Sequence, residues 1–301
     1  MEMPIYFKLV GKVDEIVTMV HYKKCSEVNI DFVYEAFRDG FSDYIIKMEV
    51  SKEDFIKRFF GPEGNKLEYS YIALDENKPI GVILGGIKEY ESIKTMRCGA
   101  LAVHPNYRGV GVSHKLFEFH KEKAIKNGCQ QLFLEVIVGN DRAIQFYTKL
   151  GYEKVYDLSY YNLRDTSILT SKSVQNIEIK QIKFGEFQNG IQKWLNFHIN
   201  WQNDVEYMEK TENNKYYGAY INDDLKGCIC VGDNGKISLL FVDKKYRRIR
   251  VATSLLQTVS KELQLSSLSI GFPNNALLEG FVKKCGFEKS SLAQYEMYYT
   301  L

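Results

Sequence analysis

The chain is short of several things. Its 40 lysines and arginines almost cancel its 38 aspartates and glutamates. The net charge of +2 offers no general attraction to nucleic acid or to an anionic membrane surface, and neither partner is expected. No apolar run approaches the roughly 18 residues that a membrane-spanning helix needs. The opening MEMPIYFKLVGKVDEIV has no cationic start followed by an apolar core, so no secretory leader is expected. The six cysteines are Cys25, Cys98, Cys129, Cys228, Cys230 and Cys285, and only Cys228 and Cys230 are close in sequence. Neither a metal-ligand spacing nor a secreted disulfide framework appears, which fits a reducing, cytoplasmic setting. With five scattered histidines, no metal site is expected.

What remains is ordinary globular material, 45% hydrophobic and 26% charged, in a chain long enough for two domains. Up to about Phe60 the pattern reads as helical, with Phe55 and Phe59 four apart. Two strands around a turn follow in LEYSYIALDENKPIGVILGGI, then a third in RCGALAV. A helix from Val110 to Asn127 stops at Gly128, QLFLEVIV is a strand, DRAIQFYTKLG a helix closed by Gly151, and YEKVYDLSYYNL a last strand. The Ser/Thr-rich RDTSILTSKSVQ reads as a linker. After it the order returns in KYYGAYINDDLKGCICVG, KISLLFV, VATSLLQTVSKEL, SSLSIGF and NNALLEGFVKKCGF. Matching Val103 to Val242 and Phe146 to Phe281 makes this an internal repeat with one short deletion.

The turn VHPNYRGVGVSHKL carries the first chemical signal. A glycine-rich connection from strand to helix lets main-chain N–H groups converge on phosphate oxygens, with the helix dipole in support. Arg108-Gly109-Val110-Gly111-Val112-Ser113 fits, although it has neither a P-loop ending nor dinucleotide-site spacing. An ordinary tight turn with a solvated arginine fits this segment as well.

About one helix and one strand later comes LEVIVGNDRAIQFYTKLGYEK. Together the two segments resemble the GCN5-related N-acetyltransferase (GNAT) superfamily, whose signature is matched in register by Arg108, Gly111, Asn140, Ala143, Phe146, Tyr147, Lys149, Gly151 and Tyr152. Ser113 is a mild departure. The resemblance covers roughly residues 95 to 155, and the N-terminal third is only compatible with it.

The resemblance implies an α/β fold of two GNAT-type α/β/α domains, each a mixed, mostly antiparallel sheet flanked by helices. These are expected at 1–165 and 177–301, joined by a linker at 166–176. It implies acetyl-CoA as the acetyl donor, with its pantetheine arm along the backbone of Leu101, Ala102 and Val103. The N–H groups of Arg108, Gly109, Val110, Gly111, Val112 and Ser113 would hold the pyrophosphate, and Asn140 would contact the pantetheine. Tyr147 would lie near the thioester sulfur and protonate the departing thiolate. The acceptor would be a primary amine, which must lose a proton before it attacks. Transfer would be direct, because neither Cys98 nor Cys129 has a local histidine partner. Glu135 stands where some relatives carry a general base; it also reads as a polar residue facing outward from an amphipathic strand, with a water chain relaying to other acidic groups as the alternative base.

Phe37, Phe41, Tyr44, Asp39 and Asp43 occupy the region of the substrate-covering helices, either as pocket lining or as core and solvated acids. His104 and His114 read as surface histidines. In the second copy Arg247, Arg248, Arg250 and Ala252 align with Arg108, Gly109, Gly111 and Ser113, and Val282 aligns with Tyr147. Arg250 is expected to fill the phosphate seat and Val282 cannot donate a proton, so a non-catalytic C-terminal domain is expected. KKYRRIR reads first as a solvated loop. A non-enzymatic acyl-CoA-binding sensor is the competing class. The identity of the amine, the acyl group beyond acetyl, and assembly into a homo-oligomer are left open.

Overall fold

The computed structural model describes residues 6–8, 19–169, 176–194 and 197–301. The chain divides into two compact units, one comprising Met1–Val136, Asn140–Lys154 and Met297–Leu301, the other Ile137–Gly139 and Val155–Glu296. The leader reading falls on residues 1–17, most of which lie outside the described residues, as does 170–175 of the expected linker.

Unit 1 begins with β1 (Tyr6–Lys8) and β2 (Met19–Lys24). A strand at β2 replaces the helix expected there. Val20 and Tyr22 are buried at a spacing of two, and β2 pairs antiparallel with β3 from Val20↔Asp75 to Lys24↔Tyr71. Two helices follow, α1 (Ile30–Gly40) and α2 (Lys52–Phe59). Each is opened by a side-chain cap: Asn29 Oδ1 accepts from Asp31 N–H at 3.0 Å, and Ser51 Oγ from Asp54 N–H at 3.0 Å. Then come β3 (Lys66–Asp75), β4 (Lys78–Tyr90), β5 (Ile93–Val103), α3 (Val112–Lys126), β6 (Gln131–Ile137) and α4 (Asp141–Lys149). The strand order is β1-β2-β3-β4-β5-β6, with antiparallel neighbours up to β5 and a parallel step to β6.

One face of this sheet holds Ile72, Leu74, Val82, Leu84, Ala100 and Ala102 against Val33, Phe37, Phe55 and Phe59 of α1 and α2. The Phe37 ring lies 4.8 Å from both Phe55 and Phe59, so the aromatics at helical spacing here are core. On the opposite face α3 sets Val112 and Leu116 over Gly81 of β4 and His120 beside Gly85. The last residues of the chain complete the unit: Tyr298 packs on Phe133 at 5.0 Å, Tyr299 on Tyr152 at 5.7 Å, and Leu301 N–H donates to Gln130 O at 2.9 Å.

Unit 2 runs through β7 (Glu153–Leu163), β8 (Glu178–Ile182), α5 (Phe184–Gln192), α6 (Val205–Lys210), β9 (Asn214–Ile221), β10 (Asp224–Gly232), β11 (Lys236–Val242), α7 (Val251–Glu262), β12 (Leu268–Pro273), α8 (Ala276–Lys284) and most of β13 (Glu288–Thr300). Its strand order is β7-β12-β11-β10-β9-β8, again antiparallel except for one parallel pair, β11 with β12. Alternation along β10 sends Ile229 and Val231 toward α7 and Cys228 and Cys230 toward α5, so both faces are covered. All six cysteines are free thiols, five of them buried.

The repeat recurs in individual contacts. Arg108 Nε donates to Val103 O at 2.9 Å and Arg247 Nε to Val242 O at 3.0 Å. Asn140 Oδ1 caps α4 through Ala143 N–H, and Asn275 Oδ1 caps α8 through Leu278 N–H.

His120 is wholly buried and neither of its ring nitrogens has a hydrogen-bond partner among the described residues; burial pushes the imidazole down to about 3. The unfolded chain takes up this proton near pH 6.5 and the folded chain only near pH 3. This histidine's contribution to stability is therefore intact above pH 6.5 and is lost as the pH falls toward 3. His120→Met is expected to lose less stability than the parent between neutral pH and about pH 4.5. Urea midpoints at the two pH values measure the difference.

Candidate active site

In unit 1 the parallel pairing of β5 with β6 covers only Thr95↔Gln131, Met96↔Leu132 and Arg97↔Phe133. Both strands continue, β5 to Val103 and β6 to Ile137, without further pairing between them. On its other edge β5 stays in register with β4 through Ile83↔Leu101, Val82↔Ala102 and Gly81↔Val103. The edge of β5 facing β6 is thus open from Cys98 onward, a row of main-chain donors and acceptors available to an extended ligand. The parting coincides with a bulge, because Leu84 pairs with Ala100 and Gly85 with Cys98, leaving Gly99 over. Gly99 has to be glycine for space: a Cβ there would stand 2.1 Å from Asn65 Oδ1.

At the end of β5 the chain makes one 3-10 turn at Pro105–Tyr107 and reaches the glycine loop. Gly109 and Gly111 have φ of +78° and +97°, and no neighbour lies within 4 Å of a Cβ at either position. Backbone conformation, not crowding, demands glycine here. Gly111 is the N-cap of α3, whose first N–H groups have no partner within the helix. The Arg108 side chain turns away from this loop. Besides Val103 O, its guanidinium donates to Gly40 O at 2.9 Å and to both Asp43 oxygens at 2.7 and 2.5 Å. That contact holds the Asp43 carboxyl below the usual carboxylate range. Arg108 therefore ties the end of α1 to the end of β5, and Asp43, weighed as pocket lining, is its counter-ion.

Tyr147 lies buried on α4, its hydroxyl 3.8 Å from Cys98 Sγ. Burial, and after it the neighbouring Cys98 and Tyr152, raises the phenol well above its ordinary value, so it remains a proton donor. Burial also pushes the Cys98 thiol up to about 11, which removes it as a thiolate nucleophile. Asn140 caps α4 with its Oδ1.

Glu135 does not face outward. Its side chain is 2% exposed, and Oε2 accepts from Arg97 Nη2 at 2.7 Å. The same guanidinium bonds Glu63, whose other oxygen takes Arg58 Nε at 3.2 Å. Burial alone would lower the Arg97 guanidinium, but the two carboxylates more than offset this and keep it charged. The second oxygen of Glu135 is buried without a partner among the described residues, and so is Asn65 Oδ1. Sequence reasoning missed Glu63, Asn65 and Arg97. The signal was an arginine inside the apolar strand RCGALAV and the polar turn GPEGNK ahead of β3.

His104 caps the 3-10 turn with its Nδ1, and His114 packs on Phe146 at 4.9 Å. Among the described residues no group of three or more His, Cys, Asp or Glu side chains could hold a metal ion, and no helix is long and apolar enough to cross a membrane.

Unit 2 repeats the parting, with β11 and β12 paired only at Lys236↔Ser269 and Ile237↔Ile270. Val282, buried, stands at the position of Tyr147. Arg248 and Arg250 keep the left-handed backbone of their glycine counterparts, with φ of +67° and +70°. Instead of closing the cleft, Arg250 lines a cavity of about 1120 Å³.

A strand pair that parts beside a glycine turn and a buried tyrosine defines an acyltransferase of GNAT type, and comparison with known proteins agrees. A model of the acetyltransferase (GNAT) family matches residues 30–152, and a second, of the acetyltransferase (GNAT) domain, matches 185–299. The chain belongs to the GNAT family and carries two GNAT domains in tandem. It is 31% identical over 104 residues to N-alpha-acetyltransferase 30 of Saccharomyces cerevisiae, covering 33% of this chain and 59% of that protein. Against the Schizosaccharomyces pombe protein of the same name the figures are 32% over 101 residues, with 33% and 67% covered. The chain thus spans about three-fifths to two-thirds of these relatives. A tandem GNAT protein from the clavulanic acid biosynthesis pathway superposes with a TM-score of 0.68 at 13% identity, covering 93% of this chain and 98% of that one. A GCN5-related N-acetyltransferase from Sphaerobacter thermophilus gives 0.67 at 12% identity, with 93% and 95% covered.

The contact between Gly99 and Asn65 can be tested by a double-mutant cycle. Gly99→Ala should displace Asn65 from its bond to Phe59 O and cost about 2 kcal/mol. In an Asn65→Ala background the same change should cost less, a coupling of roughly 1 kcal/mol readable by chemical denaturation.

Proposed function

We propose that unit 1 transfers acetyl directly from acetyl-CoA to a primary amine, and that the amine is a peptide N-terminus. The observation carrying this reading is the open edge of β5, which runs between the glycine loop and the buried hydroxyl of Tyr147. The main chain of Leu101, Ala102 and Val103 takes the pantetheine arm as an added strand. The N–H groups from Arg108 to Ser113 take the pyrophosphate, aided by the N-terminus of α3. Asn140 lies beside the pantetheine. The choice of acceptor rests on the relatives named N-alpha-acetyltransferase.

The chemistry follows from the protonation states. The partner-free oxygen of Glu135 accepts a proton from the ammonium, directly or through water, while Arg97 holds the other oxygen in place. The free amine attacks the thioester carbonyl, whose oxygen is stabilised by main-chain N–H on the open edge of β5. The C–S bond then breaks, the thiolate takes the Tyr147 proton, and the surplus proton on the attacking nitrogen leaves as the amide forms and returns to the Tyr147 phenolate, directly or through water. Unit 2, with Val282 in place of the tyrosine, binds or stabilises but does not transfer.

Tyr147→Phe keeps the ring and removes the proton, so kcat should fall about a hundredfold while acetyl-CoA affinity holds. Thiol release against peptide N-termini, polyamines, aminoglycosides and free amino acids reads both this loss and the acceptor class. Acetyl-CoA binding with no turnover on any amine would favour an acyl-CoA sensor. Gly111→Asp places a carboxylate at the proposed phosphate seat and should raise KM for acetyl-CoA on the order of tenfold, about 1.4 kcal/mol. An unchanged KM would remove the loop from the donor site.

A further inference from the structure

One buried side chain beside the parted strands, Asn65, takes no part in the chemistry proposed for unit 1. It is 2% exposed, and its Oδ1 is buried without a hydrogen-bond partner among the described residues. The amide has only one way round. Phe59 O accepts from Asn65 Nδ2 at 2.8 Å and, as a carbonyl, can only accept, so the nitrogen takes that side and Oδ1 the other. Oδ1 is thereby turned onto Gly99, and it is the first atom that a Cβ there would meet. Gly99 is the bulged residue, two positions beyond the last pair of β5 with β6.

The other partner-free acceptor, Glu135 Oε1, belongs to the same place. Gly86 and Arg97 are direct partners across β4 and β5, and residues so paired project to one face of a sheet. A Cβ at Gly86 would collide with Gly64 O and lie 3.3 Å from Asn65 Cα, so Arg97 leaves the sheet on the face that carries Gly64 and Asn65. There its guanidinium bonds Glu135 and also Glu63, two residues before Asn65. Cys98 pairs with Gly85, whose Cβ would meet His120 of α3, so Cys98 points to the opposite face, where the Tyr147 hydroxyl lies 3.8 Å from its sulfur. Three consecutive residues of β5 thus touch the arginine that holds the carboxylate, the phenol and the amide oxygen.

Resting on the reading of unit 1 as an amine acetyltransferase, we infer that Asn65 binds the acceptor, its Oδ1 taking a hydrogen bond from the amine while Glu135 Oε1 takes the amine's proton. A primary ammonium has three N–H bonds, and this site offers acceptors for two of them. Once one proton has passed to Glu135, an N–H held by Asn65 restricts rotation about the C–N bond and so limits where the lone pair can point. An amide oxygen suits this task because it accepts a hydrogen bond without competing for the proton. A buried acceptor without a donor destabilises the unliganded chain, and a bound ammonium relieves that.

A double-mutant cycle between protein and ligand tests this on the full chain. The probes are trialanine amide and its N,N-dimethyl analogue, whose ammonium keeps one N–H for Glu135 and has none for Asn65. Both are titrated by calorimetry in saturating coenzyme A, which carries no acetyl group, so nothing turns over. Dimethylation should weaken binding about tenfold more in the parent than in Asn65→Ala, the worth of one hydrogen bond from a charged donor. Asn65→Asp, which puts back an acceptor oxygen, should restore that difference. A merely structural asparagine would weaken both probes alike, so the same effect of dimethylation in parent and Asn65→Ala overturns the inference. Equal affinity of the parent for the two probes overturns it as well, and that result needs no variant to fold. Thiol release from acetyl-CoA with trialanine amide keeps the two readings apart. Turnover with no loss on dimethylation removes Asn65 alone; no binding of either probe and no turnover removes the peptide acceptor with it.

Discussion

The geometry of unit 1 depends on where β5 and β6 stop pairing. Up to Arg97↔Phe133 they are ordinary parallel neighbours; beyond it one gains a bulge and the other carries a buried carboxylate. Arg97 stands at the last paired position and bonds Glu135 on one side and Glu63 on the other. A buried guanidinium between two carboxylates is expensive to desolvate and tolerable only if each partner is held. The same pairing leaves one oxygen of Glu135 unspent, beside strand edges that no longer satisfy each other. The ion cluster and the opening of the cleft are one feature.

Much of this could be read from the sequence. The glycines of the loop announced the strand-to-helix turn, and φ at Gly109 and Gly111 gives the reason. The repeat was visible from spacing, and it recurs in matched contacts of Arg108 with Arg247 and Asn140 with Asn275. Less legible was what depends on distant partners. Arg108 looked solvated because Asp43 lies 65 residues away. For Glu135 the sequence left a base and an outward residue side by side, because Arg97 and Glu63, which bury it, come from two other segments. β2 read as helix because its alternation covers only six residues. A pattern that short decides nothing without its pairing partner.

The second copy has the loop's backbone shape without the glycines that favour it. Arg248 and Arg250 occupy conformations suited to glycine, with φ of +67° and +70°. The cleft of unit 2 stays open, and Arg248 and Arg250 are exposed where they line it. Inferring a filled pocket from a long side chain neglects where its Cβ points.

Unit 1 is completed by residues 297–301, so its sheet and the packing around Phe133 and Tyr152 draw on chain synthesised after all of unit 2. At ribosomal rates the intervening stretch takes on the order of ten seconds to emerge. During that interval the N-terminal portion exists without Tyr298 and Tyr299, its aromatic edge uncovered. Order of synthesis and order of completion are therefore reversed in this chain: the half that begins first finishes last.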